Sequence, residues 1–413
     1  MLNRFLSRLI RTGDLTVIDA GGRRARYGDG KPPHSVIRFK DRLLPIQFAL
    51  NPDLAVGEAY MSGRLIVEEG GIANLLEIAA INIGTGSWNG VPGALQKLRR
   101  LTRRLAQYNP IKRAKRNVAH HYDLSGALYD LFLDTDKQYS CAYFERPEQS
   151  LEEAQAAKKR HIAAKLLLKP DIRVLDIGSG WGGLGLYLAS LGARQVVGVT
   201  LSEEQHRLSR ARAEMSGFSK RVDFRLEDYR KVEGKFDRIV SVGMFEHVGV
   251  AFYPAFFRKL SNLMTEDGVA LVHTIGRLDG PGATNPWLAK YIFPGGYVPA
   301  LSEIIPCIEQ SGLVVSDIEV LRLHYAETLR HWRQRFVANW DKAAGLFDER
   351  FCRMWEFYLA GAEFHFRYEG AVVFQIQVTK KVDAAPLTRD YIHDWERTHG
   401  LPQVIGRPRV AAE

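Results

Sequence analysis

The sequence predicts an α/β protein: a doubly wound, mostly parallel seven-stranded sheet, preceded by a smaller N-terminal domain. Three observations carry that expectation. From residue 174 onward, seven short apolar runs alternate with helical segments, the pattern of strands joined by crossover helices. The first run, Val174-Leu-Asp-Ile177, leads into a glycine cluster, Gly178-Ser-Gly-Trp-Gly-Gly183, and then into the helical run Leu184–Ala189. That is a strand, a tight turn and a helix start. The chain has 413 residues, 46% hydrophobic and 25% charged, enough for two domains with a sizeable core.

The elements follow in order. Met1–Arg11 reads as an amphipathic helix, with Leu2, Phe5, Leu6, Leu9 and Ile10 on one side and Arg4, Arg8 and Arg11 on the other. Its arginines interrupt the apolar stretch, so it is not a secretion signal. It is either a surface helix of the first domain or a membrane-contacting one. The β-like runs Leu15–Asp19, Ser35–Phe39 and Arg64–Glu68 alternate with helical pieces and make residues 1–105 a separate small α/β domain. Ile83–Gly93 is rich in helix breakers and suits a loop or linker. A basic helix runs from Ala94 to Gln107, and Asn109-Pro110 stops it. Residues 106–413 form the second domain. Its strands are Val174–Ile177, Gln195–Thr200, Val222–Leu226, Phe236–Val242, Gly268–Thr274, Leu313–Val320 and Ala371–Thr379. Helices such as Leu151–Leu168, Ser202–Met215 and Tyr253–Leu263 lie between them.

Composition narrows the function classes. No apolar run approaches the ~18 residues that span a bilayer. Cys141, Cys307 and Cys352 form neither a disulfide framework nor a zinc pattern. Lys plus Arg number 57 and Asp plus Glu 47, a formal charge of +10. From Ile78 to Tyr122 there is no acid, while Lys97, Arg99, Arg100, Arg103, Arg104, Lys112, Arg113, Lys115 and Arg116 fall in that stretch. Such a block is a solvated basic face, or it attracts the phosphates of anionic lipid or nucleic acid.

In a doubly wound sheet, ligands bind outside the carboxyl ends of the strands, so the residues after each strand carry the chemistry. Gly178, Gly180 and Gly183 fit G-x-G-x-x-G, a pattern shared with dinucleotide enzymes. Two residues favour S-adenosylmethionine (SAM) over NAD or FAD. Asp176, just before the first glycine, is an acid suited to anchor the cationic amino-acid end of SAM. The second strand ends in Thr200, not in the Asp or Glu that would bind an NAD ribose. Thr200 and Gln205 can bond ribose and methionine groups, although Ser202 with Gln205 also reads as a capping box. Glu227-Asp228-Tyr229 follows strand three and suits the adenine amine or a plain polar turn. Glu246 and His247 follow strand four, where a carboxylate rarely lacks a role. His273 is a site residue or a satisfied core histidine. A lone buried Cys such as Cys141 is by itself an apolar filler.

Taken together, His121-Tyr-Asp123, Tyr139-Ser-Cys-Ala-Tyr143, Asp176-Ile-Gly-Ser-Gly-Trp-Gly182, Gly198-Val-Thr-Leu-Ser202 with Gln205, Phe245-Glu-His-Val-Gly249, His273-Thr-Ile-Gly276, Ile292-Phe-Pro-Gly-Gly296 and His324–Leu329 stand in an order that resembles the cyclopropane-fatty-acyl-phospholipid synthase and mycolic acid cyclopropane synthase family. The resemblance implies a Rossmann-like SAM methyltransferase sheet behind an N-terminal lipid-interaction domain. It implies transfer of the SAM methyl carbon to the cis double bond of an unsaturated acyl chain in a membrane phospholipid. Methyl attack leaves a carbocation, and loss of a methyl proton to bound bicarbonate closes a cyclopropane ring. By the resemblance, Cys141, Glu246, His273, the backbone of Ile275 and Tyr325 hold the bicarbonate. SAM contacts fall on Tyr139, Ser140, Gly178, Gly180, Thr200, Leu201, Gln205, Leu226 and Glu227, beside Asp176. No metal is implied. The resemblance also implies an anionic membrane surface rather than nucleic acid as the partner, assembly as a homodimer, and a cytoplasmic location with peripheral association at the inner face of the membrane. Cys352 aligns with no family cysteine and is assigned no role.

The residue types suit that chemistry. An alkene is a feeble nucleophile, so donor and chain must be held close and in line. Water would capture the cation, and an apolar acyl slot excludes it. Aromatic faces stabilise a cation without reacting; Tyr143, Phe144, Trp332 and Phe336 are candidates for that or for plain core. Three rivals stand beside this reading. One is a C-methyltransferase that gives methyl- or methylene-branched chains. Another is a nucleic-acid methyltransferase, suggested by the charge and by Pro306-Cys307. The third is a binding module without chemistry.

Overall fold

The computed structural model describes residues 2–84, 90–106 and 126–405. The His121-Tyr-Asp123 motif and the basic residues Lys112, Arg113, Lys115 and Arg116 lie outside the described residues. The described chain forms two compact units. The first gathers the N-terminal residues through Ala106 together with Gly282–Pro294 and Ala326–Ala371, and the second holds the rest. A single boundary near residue 105 does not describe this arrangement. The reason is apolar burial: the helix Glu349–Tyr368 buries Ala360 and Phe364 beside Ala80 of the helix Gly71–Ile83. A Tyr60–Glu356 hydrogen bond of 2.6 Å adds a polar tie within the same unit.

The first unit carries a four-stranded sheet of β1 (Asp14–Ile18), β2 (Arg24–Gly28), β3 (His34–Phe39) and β4 (Leu65–Glu69), in the order β2-β1-β3-β4. Strand β2 was not legible in the sequence. It is an edge strand of sequence Arg-Ala-Arg-Tyr-Gly with only Tyr27 buried. The helix Leu2–Leu9 lays its apolar side into the core of this unit, where Leu6 and Ile10 join Leu15, Val17, Phe39 and Leu44. That side is therefore core rather than a free lipid-facing surface. The basic helix spans Gly90–Ala106, and Arg99 ties it to Asp53 (3.0 Å) and Asn51 (3.1 Å).

The second unit holds the seven-stranded sheet. Its strands are β5 (Arg173–Ile177), β6 (Gln195–Thr200), β7 (Val222–Leu226), β8 (Phe236–Val242), β9 (Met264–Arg277), β10 (Val314–Leu321) and β11 (Ala371–Thr379), in the order β10-β11-β9-β8-β5-β6-β7. Strands β5 to β9 pair in parallel, and β10 runs antiparallel to β11. The chain runs outward from β5 through β6 to β7, then returns to β8 on the other side of β5. That reversal makes the switch point where ligands bind. Both faces of the sheet are covered, one by a core that includes Phe245, Tyr253, Phe256 and Phe257, the other by Leu184, Leu186, Val196 and Phe224. Burial on both faces is why these strands read as continuous apolar runs.

Strand β9 is longer than the Gly268–Thr274 read from the sequence. It runs to Arg277 and so carries Ile275 inside the strand together with His273. Residues two apart on a strand face the same side, so these two side chains share a face. Immediately beyond, a Cβ added at Gly276 would lie 2.0 Å from Phe374 Cε2. Gly276→Ala is therefore expected to lower the unfolding free energy by about 2–3 kcal/mol, the cost of overpacking a filled core. Denaturant unfolding checks this, and a second change, Phe374→Leu, is expected to recover part of the loss.

Candidate active site

The turn after β5 sets Gly178 and Gly180 at φ of 84° and 53°, a region that other residues enter only with strain. A Cβ at Gly178 would come within 2.9 Å of Met244 Cβ. The turn lines a cavity with about 1210 Å³ of atom-free space, partly open to solvent. The ends of β5, β6, β7 and β8 form its walls together with the segment Lys137–Ser140. Tyr139, Ser140, Asp176, Gly178, Gly180, Thr200, Leu201, Gln205 and Glu227 all line it. Leu226 does not; it is 41% exposed at the end of β7, where alternate residues face opposite sides.

Asp176 shows how the cavity suits SAM. Its side chain is buried, and Oδ2 has no hydrogen-bond partner among the described residues. Burial raises its pKa to about 7, with Lys158 opposing the shift. A cationic ligand group beside it would favour the ionised form. Ser179 Oγ is likewise buried and without a partner among the described residues. Thr200 Oγ1 donates to Gln205 Oε1 (2.8 Å), while Ser202 Oγ accepts from the Gln205 amide (3.3 Å). The helix cap and the cavity wall are thus built from the same few residues.

Lys158 was missed in the sequence. It is 1% exposed, lines the cavity, and donates to Gln138 Oε1 (2.8 Å) and Ser140 Oγ (2.7 Å). Gln155 Nε2, one turn earlier, donates to the carbonyls of Gln138 (3.2 Å) and Ser140 (2.9 Å). Burial pulls the Lys158 pKa down to about 8 against the pull of Asp134. In the run Lys158-Lys-Arg160 nothing distinguishes a buried cation from a solvated face, so no sequence signal could have found it.

A second group sits at the ends of β8 and β9. Glu246 is buried, and its Oε1 accepts from the Ile275 amide at 2.6 Å. Burial raises its pKa to about 7, with the Ile275 bond opposing. The Ile275 N–H thus serves the carboxylate. Gln375 Nε2 donates to His273 Nδ1 (3.2 Å), which puts the ring hydrogen on Nε2. Burial holds that ring neutral. Glu246 Oε2 and His273 Nε2 have no partner among the described residues. Cys141 is buried with its thiol on the Ala142 carbonyl (3.2 Å), and both Cys141 and His273 lie within the field of Lys158. Tyr325 is buried beside His324, whose Nδ1 accepts from the Phe144 amide (3.0 Å) and so meets the Cys141 loop.

The other candidates have surroundings of their own. Tyr143 stacks against two imidazoles, His161 at 4.1 Å and His324 at 5.0 Å, which occupy the ring that a substrate cation would need. Trp332 and Phe336 are fully buried in the first unit. Cys352 is buried, which pushes its thiol up to about 11. Cys307 lies within the helix Leu301–Glu309, its thiol on the Glu303 carbonyl (3.3 Å) and its pKa raised by burial, which is not the state of a poised nucleophile. Among the described residues no group of three or more His, Cys, Asp or Glu could hold a metal ion.

The strand order, the glycine turn, the acid at the end of β5 and this cavity define a SAM-dependent methyltransferase. The family model for mycolic acid cyclopropane synthetase matches residues 110–376, and the chain belongs to that family. It is 37% identical over 389 residues to the tuberculostearic acid methyltransferase UfaA1 of Mycobacterium tuberculosis, covering 90% of this chain and 89% of that protein. It is 38% identical over 331 residues to the cyclopropane-fatty-acyl-phospholipid synthase of Escherichia coli K12, covering 80% and 84%. The solved structure of the mycolic acid cyclopropane synthase CmaA1 complexed with SAH and CTAB matches with a TM-score of 0.62 and 34% identity, over 66% of this chain and 99% of that one.

Lys158→Met is expected to weaken SAM binding roughly tenfold, since it removes two charge-assisted hydrogen bonds from the cavity wall. Titration calorimetry with SAM measures this; an unchanged affinity would remove Lys158 from the site.

Proposed function

We propose that this protein transfers the methyl carbon of SAM to the cis double bond of an unsaturated acyl chain in a membrane phospholipid and closes a cyclopropane ring. The observation that carries this reading is the pair of buried atoms without partners among the described residues, Glu246 Oε2 and His273 Nε2. Buried polar atoms are costly unless bonded, so a carboxylate oxygen just beyond β8 and an imidazole N–H on the neighbouring strand β9 suit a small polar ligand. Bicarbonate is such a ligand and would supply a weak, oriented base for the methyl proton. In this reading His273 Nε2–H donates to a bicarbonate oxygen, the Glu246 carboxylate accepts its hydroxyl, and Cys141 and Tyr325 complete the surround. Asp176 takes the cationic amino-acid end of SAM, Gly178 and Gly180 let the backbone approach it, and Tyr139, Ser140, Thr200, Leu201, Gln205 and Glu227 form the walls. SAM itself supplies the electrophilic sulfonium methyl.

A second reading is favoured by one observation, the similarity to a tuberculostearic acid methyltransferase over 90% of this chain. There the same methylation would end in loss of a different proton, leaving a methyl- or methylene-branched acyl chain.

Lipid products decide between the readings. Purified protein is incubated with SAM, bicarbonate and vesicles of cis-unsaturated phospholipid. The ring reading expects a gain of one CH2 that resists hydrogenation and gives cyclopropane proton signals by NMR. A hydrogenatable product supports the branched reading, and no gain sinks both. Glu246→Gln is expected to cut turnover by about 10³-fold while SAM affinity stays within roughly twofold. Because burial raises the Glu246 pKa to about 7, the carboxylate is protonated below that pH. The turnover rate is therefore expected to rise with pH through about 7, falling roughly tenfold per unit on the acid side. A flat profile from pH 5.5 to 8 would exclude Glu246 as an ionised participant.

We also propose a peripheral association with the inner, cytoplasmic face of an anionic membrane. In the first unit, Leu43, Ile46 and Leu50 are exposed in and beside the helix Leu44–Leu50, as are Leu98 and Leu101 on the basic helix, next to Lys97 and Arg100. Apolar side chains beside basic ones suit a headgroup layer. No helix among the described residues is long and apolar enough to cross a membrane. Flotation with anionic vesicles is expected to show binding that weakens as salt rises. Equal binding to neutral vesicles at every salt level would overturn this.

A further inference from the structure

We propose that the C-terminal segment from Lys381 to Ile405 is a strap that positions the segment Asp136–Glu145, which carries the Lys137–Ser140 wall of the SAM cavity, acting through three bridging basic side chains. The family match ends at residue 376, so it does not account for this segment. The segment includes the helix Asp390–Thr398, which packs on the helix Leu151–Lys165, and Trp395 and Ile405 rest on the apolar core of that side.

Each bridging side chain bonds or stacks on the strap and the wall together. Arg160 donates through Nη1 to the His399 carbonyl (3.1 Å) and through Nη2 to Glu145 Oε1 (2.5 Å). His161 places Nδ1 2.6 Å from Glu396 Oε1 and Nε2 2.8 Å from Glu319 Oε2, and stacks on Tyr143 at 4.1 Å and 9°. Arg212 donates through Nη2 to the Ile405 carbonyl (2.8 Å), through Nη1 to the Trp181 carbonyl (2.9 Å), and pairs with Asp136. Arg160 is 9%, His161 1% and Arg212 3% exposed, so water cannot replace the acceptors that the strap supplies. Trp181 lines the cavity, and the segment between the bonded residues Asp136 and Glu145 carries Tyr139 and Ser140, which line it as well.

A strap that only adds stability would shift unfolding and leave the cavity unchanged. A strap that positions the wall sets SAM affinity as well. That readout rests on SAM binding and is independent of which lipid product forms. Glu396→Ala in the full-length protein is expected to weaken SAM roughly fivefold by calorimetry and to speed amide hydrogen exchange in residues 136–145. Since that change leaves a buried imidazole short of one partner and can unfold the chain, Glu396→Gln is measured beside it. Its amide oxygen still accepts from Nδ1–H, and a loss of roughly twofold is expected. Asp394→Ala, exposed on the same helix, is expected to match the parent. SAM affinity and exchange in 136–145 that stay at parent values in the folded Glu396 variants, even with a lower unfolding midpoint, would overturn the positioning role.

Discussion

Five cationic or ionisable side chains of one helix, Lys158, Lys159, Arg160, His161 and Lys165, are buried together, and the second unit is arranged around the need to satisfy them. Taking such groups out of water costs several kcal/mol each unless they are paired. The helix Leu151–Lys165 begins at a capping box of Ser150 and Glu153 and has no apolar side that would orient it by hydrophobic burial alone. Its partners come from all around: Asp136 for Lys159, Glu145 for Arg160, Glu319 and Glu396 for His161, and Asp317 and Glu319 for Lys165. Glu319 and Glu396 are both lowered: burial would raise them, and it is outweighed by His161 together with Lys165 at Glu319 and by His161 together with His393 at Glu396. Buried ion pairs add little net stability against an apolar alternative, but a mispaired arrangement is strongly penalised. In this unit they fix where the cavity wall, β10 and the C-terminal helix sit around one another.

The contrast with the strand ends is physical. In the helix, most buried charges meet an opposite charge. At the ends of β5, β8 and β9, Asp176 Oδ2, Ser179 Oγ, Glu246 Oε2 and His273 Nε2 are buried with no partner among the described residues. The same burial moves Asp176 and Glu246 up to about 7 and keeps His273 neutral. The orphaned atoms at these strand ends lie where ligands bind in such a sheet, so a ligand can relieve their cost.

Much of this was legible because burial leaves a mark in sequence. Strands covered on both faces, such as β5, β6 and β11, must be apolar runs, and the residues after the strands so read led to the cavity wall. Legibility failed where polar residues are buried or apolar ones repeat without a distinguishing period. His273-Thr274 looks like the end of a strand, yet pairing continues β9 to Arg277. The segments Gly282–Pro294 and Ala326–Ala371 return to the first unit from far along the chain, and no local pattern in them says which core they join. Lys158 resembled a solvated lysine because the partners that bury it are distant in sequence or hidden in a loop. Tyr143 looked like a free aromatic face because the histidines that stack on it come from a helix and from the far end of β10.

The arrangement of Glu246 bears on how a carbocation could survive here under the proposed chemistry. A freely rotating carboxylate next to such a cation would trap it by forming an ester, and water would trap it as an alcohol. Glu246 is 7% exposed, which restricts water, and one oxygen is tied to the Ile275 amide at 2.6 Å, which restricts rotation. Tyr297 donates its own amide to the Glu246 carbonyl at 3.0 Å, fixing the backbone behind it. A carboxylate held this way can polarise a small bound base without swinging onto the substrate. Burial that keeps His273 neutral works in the same direction, because an imidazolium facing the site would oppose the developing positive charge. Whether methylation ends in a ring or a branch then depends on where the base stands relative to the new methyl group, and that position is set by the oxygen of Glu246 and the nitrogen of His273 that point away from their protein partners.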